Sequence, residues 1–75
     1  MNFRQSFFHY YDRAIGRGIC SFSQTGIKKN EFTLLCTDPE FVLSEESLLR
    51  AMEAMKMTDA EKEELLRLAG EARKQ

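Results

Sequence analysis

Histidine occurs once and proline once in these 75 residues, cysteine only twice, and no apolar run approaches the ~20 residues of a membrane span. Each scarcity removes a class of function. Cys20 and Cys36 lack the spacing of a CxxC redox or zinc motif, and they are expected as free, partly buried thiols. His9 has no evident carboxylate or cysteine partner in sequence, so neither a catalytic nor a metal role is expected of it. No Ser/His/Asp context, no HExxH and no glycine-rich phosphate loop occurs. Gly16-Arg17-Gly18 is too short for a dinucleotide loop and has no strand before it. The acid pairs Glu45–Glu46 and Glu63–Glu64 are explained by helix starts and solvated faces. The chain is therefore expected to be no enzyme, with no metal and no cofactor. Its start does not have the basic-then-apolar order of a signal peptide, and the expected location is cytoplasmic, with no membrane partner.

What is present describes one small helical domain over residues 1–75. Hydrophobic residues make up 43% and charged residues 31%, which suits a folded domain rather than a disordered segment. A net charge of −1 conceals an asymmetry. Residues 1–30 carry Arg4, Arg13, Arg17, Lys28 and Lys29 against Asp12 alone, a net of +4. Residues 31–75 carry six basic and eleven acidic residues, a net of −5. A basic N-terminal half is compatible with a phosphate-facing side.

The periodicities predict five helices and no strand. Phe3, Phe7, Tyr11 and Ile15 recur at four-residue steps, which predicts a first helix from Asn2 to about Gly16. The run from Phe7 to Tyr11 holds more aromatic rings than one core face needs, which marks Phe8 and Tyr10 as partner contacts or as covers for a neighbouring helix. A short second helix is expected over Ile19 to Gln24. Thr25-Gly26 is a turn signal, and Ile27, Phe32, Leu35 and Cys36 form the apolar side of a third helix over about 27–36. Thr37 to Leu43, broken by Pro39, is a loop pinned by Phe41 and Leu43. Ser44 caps a fourth helix that runs to about Lys56 with Leu48, Met52 and Met55 inward. Thr58 and Glu61 form a capping box for the fifth, which Gly70 is expected to weaken and which frays at Arg73-Lys74-Gln75.

From Phe7 to about Ala72 the chain resembles the Cro/CI-type (XRE) helix-turn-helix domains of bacterial and phage regulators. The run Thr25-Gly26-Ile27-Lys28-Lys29-Asn30-Glu31-Phe32 is similar to the family's turn and recognition helix. Ser44 to Met55 is similar to its fourth helix, and Met57 to Gly70 to its closing helix. The resemblance implies an all-α, lambda-repressor-like fold: a compact five-helix bundle with a central helix-turn-helix. It implies a small transcriptional regulator that binds double-stranded DNA with the third helix in the major groove, often as a homodimer. Lys28, Lys29 and Asn30 then fall at the base-contacting positions, with Thr33 a peripheral contact. Arg17, with Arg13 and Arg4, is a candidate phosphate contact.

In two places the chain departs from the family pattern. Gly18 to Gly26 is short for a helix plus a turn, and Leu34 stands where the family often has arginine or lysine. With the acidic second half and the surplus Phe8 and Tyr10, these departures motivate the alternative, a protein–protein interaction module on a degenerate helix-turn-helix fold.

Overall fold

The computed structural model describes residues 2–74, so Met1 and Gln75, the latter part of the expected fraying end, lie outside the described residues. The chain is all-helical, with no strand among those residues. Four α-helices follow one another: α1 (Phe3–Gly16), α2 (Lys29–Thr37), α3 (Glu45–Ala54) and α4 (Asp59–Arg73). The second helix expected over Ile19 to Gln24 is instead a single 3-10 turn, Ser23–Thr25. The five-helix count thus gives way to four helices and a turn.

Side chains mark most of the helix starts. The Asn2 carboxamide accepts from the Gln5 amide at 2.9 Å while the Gln5 side chain accepts from the Asn2 amide at 3.2 Å, a reciprocal cap on α1. Ser44 accepts from the Ser47 amide at the start of α3. Thr58 and Glu61 exchange bonds of 3.2 and 3.0 Å at the start of α4, as their spacing predicts.

The inward face of α1 drifts from the expected stripe. Steps of four residues overshoot a 3.6-residue turn by about 40° each, so Ile15 stands about 120° from Phe3 while Ala14 stands about 20° away. Accordingly Phe3, Phe7 and Ala14 are buried, Tyr11 is half-buried and Ile15 is exposed. α1 ends in a Schellman closure: Ile19 donates to the Ala14 carbonyl and Gly18 to the Ile15 carbonyl, with Gly18 at φ 69°.

Phe32 of α2 gathers three aromatic rings, from α1 and from the segment before the 3-10 turn. Its ring meets Phe22 at 5.0 Å, Tyr11 at 5.4 Å and Phe8 at 5.9 Å between centroids. Phe8 is therefore half-buried between Phe7, Tyr11 and Phe32 and joins α1 to α2. Of the two roles its excess in sequence suggests, it takes that of a cover for a neighbouring helix rather than of a free partner contact.

Leu43 is fully buried and Phe41 half-buried, so the Pro39 loop is pinned as expected. Arg73 donates to the Leu43 carbonyl at 2.6 Å and holds the end of α4 to that loop. α4 consequently runs through Gly70 to Arg73, where the sequence predicts weakening and fraying. One buried cluster, with Phe7, Leu35, Leu43, Leu48, Met52 and Leu65 at its centre, draws on every helix. The Cα radius of gyration of the chain, 11.3 Å, is that of a folded chain of this length, ~11 Å.

Candidate nucleic-acid interface

Of the residues expected to meet DNA, Lys28, Lys29, Asn30 and Thr33 lie on or just before α2, where a buried corner positions them, while Arg17 lies at the end of α1. Thr25 is fully buried; its hydroxyl donates to the Phe22 carbonyl at 2.6 Å and accepts from the Ile27 amide at 3.3 Å. Gly26 follows at φ 75°, a region costly for any residue with a Cβ. A Cβ there would also come within 2.9 Å of Arg50 Cδ, so the α3 arginine stem lies directly over the corner. Ile27 is buried, and Lys28 is extended at φ −74° and ψ 148°. The helix thus begins at Lys29, two residues later than expected: Ile27 anchors the approach, and Lys28 is the cap rather than a first-turn residue.

Glu31 holds this helix end to α3. One carboxylate oxygen accepts from the Lys28 amide at 3.3 Å, and both lie 3.2 Å from the Ser47 hydroxyl, which has one proton to give. Lys28 has no acceptor with which to return the bond, so only half of a capping box forms. The carboxylate also answers the positive end of the helix dipole. Attraction for an added anion at this end therefore falls to the lysine side chains rather than to the bare backbone amides. The three-residue spacing from Lys28 to Glu31 is a sign in sequence of the Glu31–Lys28 amide bond, but the Glu31–Ser47 tie joins residues 16 apart and has no local sign.

Lys28, Lys29, Asn30 and Thr33 are all exposed. Thr33 donates its hydroxyl proton to the Lys29 carbonyl at 2.9 Å, and Thr37 donates to the Thr33 carbonyl at 2.8 Å. Both hydroxyls keep only their acceptor lone pairs for an outside partner. Cys36, expected on the apolar side, is exposed because it lies about 100° round the helix from buried Leu35. Cys20 is buried, and both thiols are unpaired.

The five basic residues of the N-terminal half divide into two groups. Arg4 donates to the Cys36 carbonyl at 2.7 Å, placing a cation on the last turn of α2 where the dipole favours one. Arg13 pairs with Glu61 at 2.9 Å and lies 5.1 Å from the centroid of the Tyr10 ring, joining α1 to α4. Both guanidiniums are engaged within the fold rather than held out for phosphate. The Arg13 hydrogen bond is the main reason the Glu61 carboxyl is held below the usual glutamate range, with the Thr58 amide adding to it. Tyr10 is half-buried and reaches Glu64 at 3.5 Å; burial first, and then the Glu64 and Glu61 carboxylates, push its phenol up. Arg17, Lys28 and Lys29 form no ion pair among the described residues.

Two clefts are lined by none of Arg17, Lys28, Lys29, Asn30 and Thr33, although Arg4 lines the first. One, of about 460 Å³, runs between Phe3, Phe41 and Leu68; the other, of about 410 Å³, is a shallow groove beside Leu49, which is 45% exposed. No helix among the described residues is long and apolar enough to cross a membrane. Compared with protein-family models, curated proteins and solved structures, the chain matches none.

Proposed function

We propose that the protein is a small transcriptional regulator that binds double-stranded DNA through α2, with Lys29, Asn30 and Thr33 turned to the major groove and Lys28 at its mouth. The observation that carries this reading is the pair of exposed lysines at the start of α2, with no carboxylate paired to either ammonium. Arg17, exposed at the end of α1 and also without an ion pair, is the third available cation in the basic half. The corner at Thr25-Gly26, with the 3-10 turn before it and α2 after it, is then a helix-turn-helix whose first helix has shrunk to a single turn. Its supporting role passes to the Phe22–Phe32 contact and to α3. The resemblance to Cro/CI-type domains supports the same assignment and extends it to a homodimer on paired half-sites.

Fluorescence anisotropy of a labelled random duplex, at low and moderate salt, tests the proposal. Binding should fall steeply with salt, and replacing Lys28 and Lys29 together by alanine should weaken it and reduce the log–log salt slope by roughly two. A double variant that binds as well as the wild type overturns the site. A folded protein that binds no duplex at low salt overturns DNA recognition. That outcome shifts the reading to an interaction module, whose surface would be the Leu49 groove rather than Phe8.

A further inference from the structure

Among the exposed residues of α2, Leu34 is chemically out of place. It is 40% exposed and stands four residues after Asn30, so the two share one ridge of the helix, about 40° apart in angle and ~6 Å apart along the axis. The inward side is fixed by Leu35, fully buried, with Phe32 and Glu31 half-buried beside it. Lys29, Asn30, Thr33 and Thr37 make up the opposite side, with Leu34 at its edge next to Asn30. The hydroxyl protons of Thr33 and Thr37 are held by backbone carbonyls of α2 itself. The ridge therefore offers a partner one carboxamide and, one turn on, one branched apolar group.

That combination has a counterpart in the major groove. A carboxamide pairs bidentately with adenine through N6 and N7, and the thymine C5 methyl is the groove's one apolar feature. A rise of ~6 Å corresponds to between one and two base-pair steps of ~3.4 Å. Resting on the DNA-binding reading above, and on the two unpaired lysines that would draw α2 to the anionic duplex, the geometry points to a half-site read as A·T pairs: Asn30 on an adenine and Leu34 on the methyl of a thymine one or two base pairs away. Leu34 is on this account a specificity-determining residue and contributes nothing to phosphate binding.

The test is to enrich tight binders from a random duplex pool with the wild-type protein, then replace each thymine of the enriched duplex singly by deoxyuridine, which removes only the methyl. For the wild type, one thymine per half-site should show about a threefold to fivefold loss of affinity on losing its methyl. Leu34→Ala should show no loss at that thymine, no longer enrich it from the pool, and keep the wild-type salt slope. Circular dichroism and urea unfolding should show Leu34→Ala folded, because the site is exposed and alanine is a strong helix former. Specific binding by the wild type that is indifferent to every deoxyuridine overturns the inference and leaves DNA binding standing. So does a Leu34→Ala protein that keeps the methyl sensitivity. Absence of any salt-dependent duplex binding overturns the inference together with the reading beneath it.

Discussion

Lys56 is the one non-glycine residue with positive φ, at 53°, among the described residues. It closes α3 as Gly18 closes α1: the Met57 amide reaches back to the Met52 carbonyl and the Lys56 amide to the Glu53 carbonyl. Met55 and Met57 on either side are buried, and this holds a lysine in a region costing about 1–2 kcal/mol for an L-residue with a Cβ. Lys56→Gly removes that strain but gains unfolded-chain entropy. The expected net is a stabilisation of about 0.5–1 kcal/mol, read as a higher urea midpoint at unchanged slope. Gly26 presents the converse case, since it needs both the positive φ and the space over which Arg50 lies. Gly26→Ala should destabilise by about 1–2 kcal/mol from the backbone alone. Adding Arg50→Ala should recover only the steric part, so the two substitutions should be non-additive in urea unfolding.

At the scale of elements, the starts of α3 and α4 are the most legible part of the chain, while α2 starts two residues later than its sequence suggests. Ser44 and Thr58 carry short polar side chains whose capping role needs no tertiary information, and the Thr58–Glu61 spacing states its geometry outright, whereas Asn2, expected inside α1, proves to be its cap. Helix ends were less legible. α4 survives Gly70 because Arg73 is tied to the Leu43 carbonyl thirty residues away, a contact no local pattern contains. The shortness of the segment after Gly18 is visible in sequence, and it shows that a full helix plus a turn would not fit; that Phe32 gathers three rings is not. The candidate interface divides in the same way. Lys28, Lys29, Asn30, Thr33 and Arg17 are exposed as their polarity suggests, whereas Arg4 and Arg13 look equally available in sequence. Only tertiary partners, the Cys36 carbonyl and Glu61, distinguish the second pair from the first.

For the whole molecule, the tie between α1 and α4 at Arg13–Glu61 makes part of its stability sensitive to acid. Glu61 accepts from Arg13 and from the Thr58 amide, and its carboxyl is held below the usual glutamate range. A lowered folded value means that the stabilisation is fully present above the unfolded glutamate's range and is lost as pH falls through the lowered value. Wild-type stability should therefore decline on the acid side of the glutamate range. Glu61→Gln should be less stable at neutral pH and decline less over that acid interval. Urea midpoints at a series of pH values check both statements, and equal declines in the two proteins would remove Glu61 from the account.

The same pairing governs how the chain comes together in time. Tyr10 and Glu64 meet although they lie 54 positions apart, and Phe3 and Phe7 share one buried cluster with Leu65 and Leu68. A ribosome delivers the chain N-terminus first, so the aromatic face of α1 emerges long before the helix that covers it. The core cannot close around its first-made residues until α4 has been made. Until that moment Phe32 of α2 can cover Phe8 and Tyr11, but the buried cluster around Phe3 and Phe7 still lacks Leu65 and Leu68.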